Sequence, residues 1–333
     1  MSVALRTASL LAPAKRPDAT AVAALRAAVR VDLATIDAAA RRFTALGADL
    51  PPTTVRIVGR TAWVRANLDV VGSAFEPLRE RLEQRPVAAR RALGIQLGVL
   101  FGLLSTKVLG QFVLPLAGPG SGQLLVVGPN VLDLAAQHGR LAEDIRRTVL
   151  LHEVTHRLQF DSTDWLGDHL RGLVERYLDN TRVDVNHLAE LASRLPEAVA
   201  AARAQGEVRP LLEAVLTPEQ VAVVEEAQGL MSLLEGHGNA TMYGAGDDLI
   251  ADPEGVREAM AARQGDVTSK LLSAIGGLEM KRRQYREGER FVQHVLDAAG
   301  TDGLNRAFAV PENLPRGEEV GDPDGWLARV SGG

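Results

Sequence analysis

The stretch "TVLLHEVTHRLQF", Thr148 to Phe160, decides which fold this chain adopts, because it carries the pattern H-E-x-x-H among apolar residues. The segment from Leu141 to Phe160 has the spacing of an amphipathic helix, so His152, Glu153 and His156 share one side of it. Two histidines one turn apart can direct a nitrogen each at one Zn²⁺, with bonds of about 2.0–2.1 Å. Glu153 is rotated by about 100° and is placed to act as general base on a water.

The alternative is a pair of core histidines with ordinary hydrogen bonds. In that case Glu153, on the same inward face, would be a buried unpaired charge, which costs roughly several kcal/mol. A metal ion bound beside it would compensate that charge. The pattern therefore favours a metal site.

A catalytic zinc site also needs a third protein ligand and an open fourth position. The best candidate is Glu235 in "LLEGHGNATMY", which lies next to Gly236 and Gly238. Because glycine has no Cβ, another backbone can approach the helix closely there. Asn239, four residues on, is placed to hold a ligand histidine by its other ring nitrogen. His237 is a rival ligand that points about 200° round the helix, and the weaker alternatives are Asp161, Asp164 and His169.

Composition narrows the function classes. A hydrophobic content of 46% is that of a soluble globular protein. A net charge of −5 with 4% aromatic residues gives no footprint for nucleic acid. Cysteine is absent, so a metal must use histidine and carboxylate ligands. The first residues lack an uninterrupted apolar run followed by a small-residue cleavage site, so we expect no secretory signal and a cytoplasmic location.

One apolar segment, Ala92 to Gly118, is long enough to cross a membrane. Gln96, Lys107 and Gln111 interrupt it, so we expect a buried core helix and no stable membrane span. A membrane-associated protease that uses this segment is therefore kept as an alternative interpretation.

Helical periodicity dominates the rest of the chain. The first long helix has a plausible cap at Asp18 or Thr20 and a stop at Gly47, and the second is interrupted near Gly72. The β-prone runs "QFVLPL" and "QLLVVGP", separated by "AGPGSG", predict a two-stranded hairpin. The predicted fold is mainly α (α+β), as one domain over residues 1–333. It comprises a helical N-terminal part (about 18–110), a catalytic part (about 111–310) and an irregular tail (311–333).

The segments "LLHEVTHRLQF", "LLEGHG", "VLGQF" and "GLEMKRRQYREGERFV" together resemble a bacterial zincin-like family of zinc-dependent metalloproteases of the gluzincin type. The matching motifs run from about Gln96 to Trp326. The family is often labelled as associated with biosynthesis of a deazaflavin coenzyme, which no residue here supports chemically. The resemblance implies His152, His156 and Glu235 as metal ligands and Glu153 as catalytic base. It also implies a zincin-like fold in which an edge strand, here from the predicted hairpin, lies over the active-site helix.

The segment "KRRQYREGERF" holds a candidate for stabilising an oxyanion. Tyr285, with Arg283 or Arg286, could donate to the oxygen of a tetrahedral intermediate. The alternative is a solvated basic face that pairs with Glu287 and Glu289. We assign the remaining histidines to structure or surface: His138, His187 and His294.

These features predict a zinc metallohydrolase, a peptidase by preference, that binds a peptide or small amide extended along the hairpin edge. The alternative is a non-catalytic zinc-bearing scaffold, closed by a fourth protein ligand such as His237 or Asp164. The sequence leaves the substrate and the oligomeric state open.

Overall fold

The computed structural model describes residues 2–11, 17–74, 84, 86–114, 122–180, 217–246, 248–262, 278–316 and 318–332. This part of the chain is mainly α-helical with one small sheet, which confirms the predicted fold class. The segment "VDVNHLAELASRL" (183–195), whose apolar spacing also predicts a helix, lies outside the described residues. The helices are α1 (Ser2–Leu11), α2 (Ala19–Thr44), α3 (Arg60–Ala74), α4 (Val87–Ser105), α5 (Gly128–Gln137), α6 (Ala142–Asp161), α7 (Leu166–Asp179), α8 (Pro218–Gly244), α9 (Leu278–Ala309) and α10 (Pro323–Ser331), and the strands are β1 (Val55–Val58), β2 (Gly110–Val113) and β3 (Gln123–Val127).

The sheet has the order β1-β3-β2. β2 pairs antiparallel with β3, with Gly110 opposite Val126, which confirms the predicted hairpin. β1 pairs parallel with β3 on the other side, with Val55 opposite Leu124, and was not predicted. It is only four residues long and includes an exposed arginine, so neither its length nor its alternation identifies it as a strand. The central strand β3 is buried along residues 124–127, as a strand covered on both faces should be.

Helix α2 begins where the sequence predicts but ends earlier. The Asp18 carboxylate caps it by accepting a hydrogen bond from the Ala21 amide at 3.1 Å. The predicted stop at Gly47 was wrong, because the helix ends at Thr44 and Ala45 takes the left-handed conformation with φ 52°. The Ala45 amide closes the last turn on the Arg41 carbonyl at 2.9 Å. Gly47, with φ 74°, turns the chain after the helix instead.

The apolar run from Ala92 to Gly118 does not form one continuous helix. Helix α4 ends at Ser105, and β2 begins five residues later. Its glycine face packs against α1, where a Cβ at Gly98 would lie 2.5 Å from the Ala4 carbonyl oxygen. Among the described residues, no helix has the length and apolar character needed to cross a bilayer.

The expectation of a buried core helix holds for one face of α4, the glycine face that packs against α1. On the other face Ile95, Val99 and Leu103 are 48%, 38% and 40% exposed. The three residues are spaced by four and so form one stripe along the helix.

The chain divides into two compact units, Met1–Gly167 with Thr241–Ala259, and Asp168–Ala240 with Met260–Gly333. The single domain over 1–333 therefore stays a prediction. In the first unit, α1, α3 and the sheet share a core that includes Trp63, Leu125 and Val127.

In the second unit, α9 and α10 pack through aromatic rings. The Phe291 and Trp326 rings meet edge to face at 5.2 Å, and Trp326 is fully buried. Its indole N–H donates to the Asn313 carbonyl at 2.8 Å. The segment 311–333, predicted to be irregular, thus contains a helix, because one large aromatic side chain anchors it.

Candidate metal centre

Helix α6 carries the H-E-x-x-H pattern and is held in place by arginines along its length. Near its start, Arg146 and Arg147 donate to the buried Asp32 carboxylate of α2, at 2.8 and 3.3 Å. Beyond the histidines, Arg157 donates to the Thr53 hydroxyl at 2.6 Å. Such charge-assisted hydrogen bonds are stronger than neutral ones. They fix the rotation of α6 and therefore the direction of the side chains between them.

The two histidines of the pattern turn their Nε2 atoms toward each other. The Nε2 atoms of His152 and His156 lie 3.0 Å apart, with the rings edge to face. The Nδ1 atom of His156 lies 2.8 Å from the Oε1 atom of Gln159, which is fully buried. Because a carboxamide oxygen only accepts, this bond keeps the proton on Nδ1 and leaves a lone pair on Nε2. That is the tautomer a metal ligand needs.

Sequence reasoning gave Gln159 no role at the site. Its position three residues after His156 could have indicated such a role, because this spacing places both side chains on the same helix face. Gln159 orients His156 in the way expected of Asn239. For His152, orientation by Asn239 stays a prediction.

The Glu153 carboxylate lies against the edge strand. The residue is 6% exposed, and its side chain occupies the space where a Cβ on Gly110 of β2 would lie. This confirms that a strand of the predicted hairpin runs beside the H-E-x-x-H helix. A carboxylate buried next to two imidazoles is a candidate proton acceptor.

Glu235 sits on α8 next to a close helix crossing. A Cβ on Gly236 would meet the Gly288 carbonyl oxygen of α9 at 2.5 Å. In the other direction, a Cβ on Gly288 would meet the Ser232 carbonyl oxygen at 2.6 Å. The prediction that Gly236 lets another backbone approach closely is confirmed. The crossing fixes the turn of α8 that carries Glu235.

The structure brings the three predicted ligands together. His152, His156 and Glu235 each offer one ligand atom, and these atoms all lie within 4.8 Å of one another. Two nitrogens bound to one tetrahedral zinc, at about 2.0–2.1 Å each, would be roughly 3.3 Å apart. The observed 3.0 Å between the Nε2 atoms is close to that separation. Two imidazoles and a carboxylate are a donor set that zinc accepts, so the residues fit the ion.

The alternative ligands have other partners. His237 is 1% exposed and packs against the Phe308 ring, with centroids 5.5 Å apart. Asp161 accepts from Arg157 at 3.0 Å. Among the described residues, no further histidine or carboxylate joins the three-residue group.

The other two alternative ligands are His169 and Asp164. The Nε2 atom of His169 lies 3.3 Å from the Glu226 carboxylate. Asp164 is exposed.

The remaining site predictions have different outcomes. Tyr285, Arg283 and Arg286 belong to helix α9, but their side chains lie outside the described residues, so an oxyanion role stays a prediction. His187 also lies outside. His294 pairs with the Asp324 carboxylate at 2.8 Å on the surface, as its structural assignment predicts.

Comparisons with known proteins agree with this geometry. No curated protein matches the sequence. A crystal structure from Chloroflexus aurantiacus, described as that of a proposed hydrolase with a novel fold, is 28% identical to this chain. Its similarity covers 99% of this chain and 98% of that one, with a TM-score of 0.72. The family model for zincin-like metallopeptidases matches residues 1–327. This chain therefore belongs to the zincin-like metallopeptidase family.

Proposed function

We propose that this protein is a zinc-dependent peptidase, with His152, His156 and Glu235 as the metal ligands and Glu153 as the catalytic base. The observation that carries the proposal is the convergence of the three ligand atoms within 4.8 Å of one another. A zinc ion bound there would polarise a substrate carbonyl and lower the pKa of a bound water to about 7.

The chain's own residues then divide the work. Gln159 orients the His156 ring through its Nδ1 atom, so that Nε2 is the atom that would bind the ion. Glu153, buried beside the histidines, takes a proton from the attacking water and passes it to the leaving amine. The carboxylate needs no long movement, because the edge strand already confines it.

The edge strand supports a peptide as the substrate class. Within the described residues, β2 pairs with β3 on one side only and is at the edge of the sheet. An extended peptide could therefore add along the free side through main-chain hydrogen bonds. Side-chain specificity would come from residues beside that strand.

A first experiment measures metal binding. We expect chelator-treated protein to take up about one zinc ion per chain, and the Glu235→Gln variant to bind it more weakly. X-ray absorption should find three protein donors with an open position. A fully protein-coordinated ion would favour the alternative, a structural zinc scaffold without activity.

A second experiment tests the base. With a peptide library as substrate, Glu153→Gln should keep the zinc and lower kcat by about 10²–10⁴-fold. Glu143→Gln, the same substitution on an exposed residue of α6, is the control and should leave the rate unchanged. Turnover by Glu153→Gln at the normal rate would refute the assignment of the base.

A further inference from the structure

Gly110, the first residue of β2, lies against the carboxyl end of Glu153. A Cβ built on Gly110 would be 2.6 Å from the Cγ atom of Glu153, 2.8 Å from Oε1 and 2.9 Å from Cδ. Contacts below 3.0 Å essentially never occur for real Cβ atoms. Any residue other than glycine would therefore force the Glu153 side chain out of its position.

The register of β2 is fixed from both faces, which keeps Gly110 over Glu153. On the α6 side, the Phe112 ring stacks on Phe160 with centroids 5.9 Å apart. On the other side, the carboxamides of Gln111 and Asn67 exchange two hydrogen bonds of 3.0 Å each. Because alternate residues of a strand face opposite sides, a slip by one position would place a side chain where Gly110 now leaves space.

We propose that Gly110 is a positioning residue: its missing side chain lets the Glu153 carboxylate lie against the edge strand in the orientation that proton transfer requires. The inference rests on the proposed function, because it takes Glu153 as the base. Glycine inside a strand weakens the strand. Unless it is needed for space, alanine should be the better residue at this position.

Gly110→Ala tests the catalytic consequence. We expect kcat for peptide hydrolysis to fall by about 10²-fold, since a shift of about 1 Å in a reacting group has an effect of that size. KM and the zinc content should remain within about twofold of the wild type, because the three atoms nearest to the added Cβ all belong to Glu153 and none to a proposed metal ligand. Gly167→Ala, whose Cβ would meet Leu114 at 3.6 Å and no other atom of the described part of the chain, is the matched control and should keep full activity.

A second measurement does not depend on activity. Gly110→Ala should lower the Tm by a few degrees when Glu153 is present. In the Glu153→Ala background, the same substitution should raise the Tm, because the clash has been removed and alanine is the better strand residue. A sign reversal of this kind between backgrounds measures the coupling between the two positions.

The outcomes separate the inference from the proposed function. If the wild type hydrolyses no peptide but the sign reversal is found, the proposed function fails and the steric relation between Gly110 and Glu153 stands. If Gly110→Ala alone fails to fold and the double variant folds, the relation is supported. Equal effects in both backgrounds, loss of folding in both, or full kcat in Gly110→Ala would overturn the inference.

Discussion

The crossing of α8 and α9 gives the sharpest test of how this protein builds its site. Replacing glycine by alanine in a helix is expected to stabilise it by up to about 1 kcal/mol, through backbone entropy alone. At Gly172 in α7 no atom of the described residues lies within 4 Å of the new Cβ, so Gly172→Ala should show this gain. At Gly236 the new Cβ would meet the Gly288 carbonyl oxygen at 2.5 Å, the carbonyl carbon at 2.8 Å and Val292 at 2.9 Å.

The size of the effect follows from which atoms are in the way. Two of the three atoms facing the Cβ of Gly236→Ala are backbone, so no side-chain rotation relieves the overlap. The helices would have to separate by about 0.5–1 Å to restore normal contacts, and overpacking of this kind costs about 1–3 kcal/mol. Because backbone atoms cannot rotate away, we take the upper part of this range, about 2–3 kcal/mol, and subtract the gain of about 1 kcal/mol in helix propensity, which leaves a net loss of about 1–2 kcal/mol. The two alanine variants should therefore differ by about 2–3 kcal/mol.

Thermal unfolding by calorimetry measures this difference. At about 2–4 °C per kcal/mol for domains of this size, the Tm of Gly236→Ala should lie roughly 5–10 °C below that of Gly172→Ala. Competitive zinc titration provides a second readout, because Gly236 neighbours the proposed ligand Glu235. The affinity should fall by about 10–100-fold for Gly236→Ala, as for other losses of support around a metal ligand. If both substitutions raise the Tm equally, the close crossing does not exist and the reasoning is refuted.

Two further predictions concern ion pairs inside the compact units, one in each unit. Arg157→Met should lower the free energy of unfolding by about 3 kcal/mol in urea titrations, because it removes the buried guanidinium that donates to the Thr53 hydroxyl and to the Asp161 carboxylate. A loss below about 1 kcal/mol would show that this network contributes little. In the second unit, burial opposes ionisation of the Glu319 carboxyl, but hydrogen bonds from the Arg329 side chain and the Arg316 amide outweigh it and lower its pKa below 4.5. A depressed carboxyl pKa stabilises the fold above the unfolded value and loses this effect as the pH falls through the folded value. Glu319→Gln should thus lower the Tm by about 2 °C at pH 7, a modest effect for a solvent-screened pair, and by progressively less as the pH falls below 4.5. An equal loss at every pH would assign the effect to packing.

Local patterns in the sequence were enough to predict several elements correctly. The H-E-x-x-H helix, the Asp18 cap and the hairpin each depend on residues a few positions apart. The errors also have local causes. The end of α2 was placed at Gly47 because glycine usually supplies the left-handed residue, whereas here Ala45 adopts it.

Other features have no local signal. The apolar run of α4 predicted a buried helix, but the sequence does not show which of its faces packs against α1 and α3. Strand β1 was missed because its pairing with β3 depends on a partner nearly 70 residues away. Helix α10 was missed because it is anchored by Trp326 against a distant ring.

The sequence by itself determined that His152 and His156 share a helix face, because 3.6 residues per turn places positions four apart side by side. The glycines next to Glu235 also indicated this residue as the third candidate ligand. Only the tertiary structure decided that this carboxylate, about 80 positions further along, comes within 4.8 Å of the two histidines. The same holds for Gly110 against Glu153 and for Gly236 against Gly288. Such contacts depend on how whole helices and strands pack, and that packing is set by many weak interactions that no short stretch of sequence contains.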